Sequence, residues 1–174
     1  NDFDKPVDDF RDKLVLEFET QETSKIFLEK DGTAMTLIKK AGTPEQKEDT
    51  AKAADDNSTN NEPVWTFEDG TTVDQAVVAD LLSSLSHLEC QSFLDEQKAK
   101  DLKKAMPLCK IRLENKDTLG LHLFKQEGSQ DLAATSLSSP YAFTLASFKA
   151  GDIVSYVDKL LGLEKPEDTE SDKE

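Results

Sequence analysis

Two stretches of the chain alternate apolar and polar residues on either side of a charged turn. This period-two pattern is typical of a half-buried strand pair. The first stretch starts at Lys25 and turns at residues 30–33, and the second starts at Lys110 and turns at residues 115–118. The sequence therefore predicts two antiparallel β-hairpins.

The two hairpins belong to a longer internal similarity. The segment KIFLE at 25–29 recurs as KIRLE at 110–114, an offset of 85 that places Leu37 over Leu123 after one added turn residue. Each hairpin is followed by a connector and then by a short strand with an aromatic residue, at 64–67 and 142–145, an offset of 78. Such self-similarity indicates a repeated unit of strand, strand, strand and helix.

Helical spacing of apolar residues follows each aromatic strand. It covers 73–85 in the first copy, with Leu88 continuing the apolar face, and 153–161 in the second. Asp74 and Asp152 occupy equivalent positions near the two predicted helix starts, where a carboxylate suits the helix dipole. Gly162 is a suitable stop for the second helix.

The fold class that follows is α+β, with two tandem ββ(β)α pseudo-repeats, antiparallel sheets and one main helix in each repeat. We expect a separate hydrophobic core in each repeat. The first core is predicted to contain Ile26, Leu28, Leu37, Trp65, Phe67, Leu82 and Leu85, and the second Ile111, Leu113, Leu123, Phe143, Leu145, Leu160 and Leu163.

The domain boundaries follow from these units. The first repeat spans 13–90, a connector spans 91–108 and the second repeat spans 109–163. Alternation at Leu14, Leu16 and Phe18 predicts a strand that opens the first repeat. Residues 90–94 are predicted to form an edge strand and residues 96–105 a short charged helix.

Charge is concentrated outside these units. The 174 residues carry 36 acids and 21 bases, a net charge of −15, and −11 of it falls in a linker at 1–12, an insertion at 41–63 and a tail at 164–174. The insertion has no large apolar residue, so we expect it to be mobile, and we expect the acidic tail to be disordered.

A negative balance of this size disfavours nucleic acid or an anionic membrane surface as a direct partner. No run of 18 apolar residues is present to span a bilayer.

Candidate chemistry is sparse. His87 and Cys90 are three residues apart, but no third orienting group accompanies them, and an acidic chain is a poor setting for a reactive thiolate. A zinc site would need Cys109 and His122 as well, which belong to other elements. No stretch has the ligand spacing of a calcium loop. We therefore predict no catalytic residues, no cofactor, no metal site and no enzymatic activity.

The order of these motifs resembles the bacterial family of unknown function DUF4340. The resemblance rests on residues 10–14, on 26–32, on the Trp65 strand with the helix that starts at Val73, and on Met106-Pro107 ahead of 111–113, and it extends from Phe10 to about Leu163. It implies an extracytoplasmic domain held by one N-terminal membrane segment, in some members encoded beside ABC transporter components of the gliding-motility type. It implies no catalytic residue set.

Two functions remain open at this point. The first is a non-catalytic extracytoplasmic interaction or structural module of a membrane complex, such as an ABC transporter accessory, whose partner is an integral membrane or transporter protein. The second is a small-ligand binding domain with a pocket between the two repeats.

Because residues 1–12 are polar and acidic, as in a linker, we expect an N-terminal membrane segment or lipid anchor ahead of them. In an oxidising compartment, Cys90 and Cys109 are also expected to form a disulfide, since they flank the connector helix.

Overall fold

The computed structural model describes residues 12–41 and 63–163. The acidic linker, insertion and tail expected from the sequence lie outside the described residues, apart from Asp12, Ala41 and Pro63 at their ends. The elements are β1 (Leu14–Glu17), a 3-10 turn (Thr20–Glu22), β2 (Lys25–Lys30), β3 (Thr33–Lys40), β4 (Val64–Phe67), α1 (Gln75–Ser86), β5 (His87–Glu89), β6 (Ser92–Phe93), α2 (Glu96–Leu102), β7 (Cys109–Glu114), β8 (Thr118–Lys125), β9 (Leu132–Ser136), β10 (Ala142–Leu145) and α3 (Ser147–Leu161).

Eight of the strands form one sheet in the order β4-β3-β2-β7-β8-β9-β10-β6, and every neighbouring pair is antiparallel. Strands β1 and β5 form a separate antiparallel pair. Helices α1 and α3 pack against each other, and both contact strands. The α+β class with antiparallel sheets is therefore confirmed.

The two predicted hairpins are β2–β3 and β7–β8, and their turns differ in length. The first turn has two residues, Asp31 and Gly32, both with positive φ (50° and 80°), which is the backbone of a tight hairpin turn. The second has three residues between Glu114 and Thr118. Leu37 is paired with Ile26 and Leu121 with Ile111, so Leu121 rather than Leu123 is the counterpart of Leu37.

The two halves of the chain meet at the pairing of β2 with β7. Lys25 lies opposite Glu114, and Glu29 lies opposite Lys110, whose Nζ is 2.9 Å from Glu29 Oε1. At the middle of the pair the guanidinium of Arg112 lies 5.3 Å from the ring centre of Phe27. Cross-strand pairs of this kind stabilise a sheet face.

The described residues form one hydrophobic core, not the two that were expected. The cluster holds buried residues of both halves, such as Ile26 and Leu82 with Ile111 and Leu160. The reason is the β2–β7 pairing, which places the apolar faces of both hairpins on the same side of one sheet, where α1 and α3 pack together. Of the remaining predicted core residues, these are buried: Leu28, Leu37, Trp65, Leu85, Leu113, Leu123, Phe143 and Leu145. Phe67 and Leu163 are half-buried and pack against the cluster.

The helix ends agree only in part with the sequence. Asp74 caps α1 by accepting from the backbone N–H groups of Ala76 and Val77, and Gly162 ends α3 in the left-handed region with φ 69°. Asp152 does not mark the start of α3, because that helix begins five residues earlier. The N–H of Ser147 there donates to Asp131 Oδ1 at 2.9 Å.

Three strands depart from the sequence prediction. Helix α1 ends at Ser86, and Leu88 is buried in β5, where it pairs with Leu16 of β1. Strand β1 therefore pairs with β5, the strand that follows α1, and not with the first hairpin. Strand β9 was not expected, because its sequence LAATS has little alternation and few of the residues that favour strands.

The outer edge of β4 is closed by a side chain. Gln75 accepts from the N–H of Trp65 at 2.8 Å and donates to the Trp65 carbonyl at 2.7 Å, as a neighbouring strand would. Thr66 and Thr72 form a further bridge beside it. Unpaired strand edges are sites of unwanted pairing, so this amide protects the edge of the large sheet.

An ion pair connects the first hairpin to the last helix. The Nζ atom of Lys30 lies 2.6 Å from Asp158 Oδ1 and 3.2 Å from Asp31 Oδ2, and the Lys30 side chain is only 11% exposed. Burial alone would lower the pKa of Lys30, but the hydrogen bonds to Asp158 and Asp31 outweigh it. The pKa is raised above its usual 10.5, so the lysine is charged at neutral pH.

We predict that Gln75→Ala lowers the free energy of unfolding by about 1–2 kcal/mol, because two backbone groups of Trp65 lose their partner. Chemical denaturation measures this loss. Gln97→Ala is the matched control, since that exposed glutamine makes only a 3.4 Å contact with Asp101. Equal stability of the two variants would contradict the proposed edge protection.

We also predict that Lys30→Met lowers the free energy of unfolding by about 2 kcal/mol at pH 7, since it leaves Asp158 without its closest cation. The difference from wild type should hold up to about pH 10 and shrink as the pH rises through the raised pKa, because a deprotonated lysine no longer forms the pair.

Lys110→Met provides the control for this ion pair. Its pair with Glu29 is more exposed, with side-chain exposures of 38% and 36%, so the expected loss is below about 1 kcal/mol. Asp158→Asn in the Lys30→Met background should recover part of the loss. A Lys30 variant no less stable than the Lys110 variant would show that the buried pair contributes nothing beyond a surface pair.

Candidate functional site

The structure keeps His87 and Cys90 apart. His87 is exposed at the start of β5, with Nε2 3.9 Å from Glu89 Oε1, whereas Cys90 is buried and its backbone N–H donates to the Lys13 carbonyl. A base must reach a thiol to activate it. The geometry brings no such pair together.

Cys109 and His122 lie on neighbouring strands but on opposite faces of the sheet. Cys109 is paired with Leu123 and faces the core, and His122 is paired with Lys110 on the other face. Burial and the charge of Lys110 lower the pKa of His122. In residues 12–41 and 63–163, no group of three His, Cys, Asp or Glu side chains is placed to hold a metal ion.

Cys90 and Cys109 are both buried, and the expected disulfide between them is not formed in the structure. Burial in the core raises the pKa of the Cys109 thiol to about 12. The thiolate is the reactive form of cysteine, so this thiol is inert at neutral pH.

A groove opens where the start of α1 meets the end of α3. We call it the interhelical groove. It has a volume of about 610 Å³, and its apolar lining consists of Met35, Phe67, Val73, Val77, Leu160 and Leu161. The two leucines are buried, and the other four side chains are half-buried at the margin of the core.

Two charged side chains and a glycine complete the interhelical groove. Asp74 caps α1, so one of its oxygens already accepts backbone N–H groups, and Lys159 is exposed in the last turn of α3. Gly162, which ends α3 in the left-handed region, lies at the same end of the groove. The site is a hydrocarbon surface with charge only at its rim.

A second concave surface lies on the opposite face of the sheet. We call it the α2 cleft. It has a volume of about 960 Å³ and is bordered by α2 and by strands β6, β9 and β10. Its strand residues Thr135 and Ala142 pair with each other, as do Ser92 and Thr144, and these pairs alternate with Phe143, which is buried in the core.

The lining of the α2 cleft mixes apolar and polar side chains, and its charged residues are three lysines and two acids. Lys98, Lys100 and Lys103 border it from α2 and the turn that follows, and hydroxyl groups border it from the strands. Asp95 and Glu96 are also at its edge, and Asp95 caps α2 by accepting from the N–H of Lys98 at 2.8 Å.

Neither concave surface was located residue by residue from the sequence. A pocket between the repeats was expected, and the interhelical groove lies between their helices. Its margin depends on Met35 and Val73, which the apolar periodicity did not mark as functional. The α2 cleft falls at the predicted connector, where the only signal was four lysines within 98–104 of an acidic chain.

The class of protein is an α+β domain with one eight-stranded antiparallel sheet. A family model described as a domain of unknown function, DUF4340, matches residues 1–106, which is more than half of the chain. The protein belongs to this family, as the resemblance implied, although the match ends before β7 and the resemblance had been drawn to Leu163. No curated protein and no solved structure gives a significant match. None of the described helices combines the length and hydrophobicity needed to cross a bilayer.

We predict that both thiols react slowly with Ellman's reagent in the folded protein at pH 8 and that two react after denaturation without reductant. A shift of the Cys109 pKa from 9.0 to about 12 lowers its thiolate fraction about a thousandfold. The Cys109→Ser variant should leave one reactive group. Absence of both thiols from the denatured, unreduced wild type would instead reveal a disulfide.

Proposed function

We propose that this protein is a non-catalytic interaction module that lies outside the cytoplasm and serves a membrane-associated complex, such as an ABC transporter to which it is an accessory. The interhelical groove is the proposed contact surface. Membership of an uncharacterised family is compatible with this role, and the groove supplies the physical reason for it.

The observation that carries the proposal is the apolar lining of the groove. Met35, Phe67, Val73 and Val77 keep part of their surface exposed beside buried Leu160 and Leu161. Burying apolar area there would stabilise a complex by about 25 cal/mol per Å² before the costs of association. Contiguous apolar surface rimmed by charge is typical of a protein contact.

The charge of the chain indicates the chemistry of the partner. The net charge is −15, and the acidic tail starts at Glu164, two residues after Gly162 at the groove. Attraction between opposite charges raises the rate of encounter. We therefore propose a partner segment with an apolar anchor side chain flanked by Lys or Arg, from an integral membrane or transporter protein.

A membrane tether suits such a contact. An N-terminal anchor would confine the domain beside its partner and raise the effective concentration, so that a groove of modest size would suffice for binding. We propose this anchored, extracytoplasmic placement together with the contact surface.

The alternative is a small ligand in the same groove. Small-molecule sites combine an apolar lining with a few polar groups that fix the orientation of the ligand. Here the polar groups are Asp74, which is engaged as a helix cap, and Lys159 at the rim. This lining supports an apolar side chain of a protein more strongly than a polar metabolite.

The test is site-specific photocrosslinking in cells that express the full-length gene. A benzophenone amino acid at Val77 faces the groove, whereas one at Ala79 lies on the exposed side of the same helix. We expect Val77 to give a crosslink to one integral membrane protein and Ala79 to give none. Protease added to spheroplasts should digest the domain.

Two further results decide between the candidates. Val77→Lys should abolish co-purification of the crosslinked membrane protein without lowering the melting temperature by more than a few degrees. Equal crosslinking from both positions, or recovery of the protein in the protease-protected cytosol, would overturn the proposal. A small metabolite that raises the melting temperature of wild type but not of Val77→Lys would favour the alternative.

A further inference from the structure

The α2 cleft has a chemistry different from that of the interhelical groove, and it lies on the other face of the sheet. We propose that it binds a small acidic sugar, meaning a sugar that carries a carboxylate or a phosphate group. This inference is independent of the proposed protein contact. It rests on the cationic side chains, an unpartnered buried donor, and the hydroxyl and aromatic groups of the cleft.

The size of the cleft suits a small ligand. Its volume of about 960 Å³ lies at the upper end of the range of about 300–1,000 Å³ for small-molecule sites. It is bordered by a sheet face on one side and by α2 on the other. A sugar of one or two rings would therefore contact both walls.

The cations of the cleft indicate a negatively charged ligand. Lys98, Lys100 and Lys103 line it together with two acids, Asp95 and Glu96, so its charged side chains have a positive balance in a chain whose acids outnumber its bases by 15. Asp95 lies 3.9 Å from the Nζ atom of Lys98 and also caps α2. Lys100 and Lys103 are exposed and oriented to the same cleft, where an anion would receive charge-assisted hydrogen bonds.

A buried donor at the cleft needs an acceptor. The Nε2 atom of Gln126 is buried, and among the described residues it has no hydrogen-bond partner. Because Nε2 is closed to solvent, a ligand oxygen reaches it only when the Gln126 side chain rotates, and an acceptor there would satisfy an amide whose missing hydrogen bond costs about 1–3 kcal/mol. This donor, together with the lysines, favours a ligand rich in oxygen acceptors.

Hydroxyl groups and aromatic rings extend the match to a sugar. The Oγ atoms of Ser136 and Ser139 accept from backbone N–H groups of Ser138 and Tyr141, which leaves their O–H protons to donate. Tyr141 is 47% exposed and packs edge to face on Phe93 with ring centres 5.9 Å apart. A fixed, exposed aromatic ring presents a flat surface on which the C–H face of a sugar can pack.

The experiment is a thermal-shift and calorimetric titration of the chain with four probes. The probes are glucuronate, glucose 6-phosphate, neutral glucose and inorganic phosphate. We expect at least one acidic sugar to raise the melting midpoint by about 3 °C or more at tenfold over its Kd. Glucose and phosphate should give smaller shifts, because each provides only half of the recognised chemistry.

Matched variants test the assignment of residues. Lys103→Ala, which removes a cation of the cleft, should weaken binding of the acidic sugar about tenfold, whereas Lys104→Ala, one residue away and outside the lining, should not. Gln126→Leu should also weaken binding without lowering the stability of the unliganded protein, since it removes an unpartnered donor. A merely structural glutamine would lower stability instead.

Three outcomes would overturn the inference. They are no shift with either acidic sugar, equal shifts with inorganic phosphate alone, or equal affinities for the Lys103 and Lys104 variants. Val77→Lys in the interhelical groove should leave sugar binding unchanged, so a failure of this inference is distinguishable from a failure of the proposed protein contact.

Discussion

The pairing of β2 with β7 is the interaction on which the rest of the structure depends. It sets Ile26 opposite Leu113 and Leu28 opposite Ile111, so the apolar side chains of both hairpins fall on one face. Because successive side chains of a strand alternate between faces, a slip of one residue would turn either set toward solvent. The ion pair of Lys110 with Glu29 and the contact of Arg112 with Phe27 mark the same register on the other face.

The two concave surfaces follow from this register. A continuous apolar face is wide enough for two helices, so α1 and α3 lie side by side on it, and their ends meet at the interhelical groove. Lys30 fixes α3, which provides one wall of the groove, to β2 through Asp158. The opposite face is left for α2, whose short helix covers only the β6 end of the sheet and so leaves the α2 cleft.

Sequence features that involve only neighbouring residues predicted the corresponding turn and helix ends correctly. The alternation around Asp31-Gly32, the Asp74 cap and the Gly162 stop each depend on neighbours within a few residues, and each is found in place. Long-range pairing was not predictable in the same way, because β1 with β5, and β2 with β7, join distant segments whose pairing has no signal in one sequence. The expectation of two cores was wrong for this reason. For the interhelical groove, the sequence indicated a place between the repeats but did not identify Met35 or Val73 as part of its lining. The α2 cleft could not be predicted, because only the folded chain brings Gln126 near the lysines of α2.

The extent of the family match has a structural consequence. It ends at residue 106, before β7, so the matched part contains β2 but not the strand that pairs with it on that side. It also contains α1 but not α3, which packs against α1. A β2 edge and an apolar helix face left uncovered would expose unpaired backbone groups and hydrocarbon to water. The second half of this chain therefore completes the fold physically, and both concave surfaces draw residues from each side of residue 106, so any function assigned to them belongs to the whole domain.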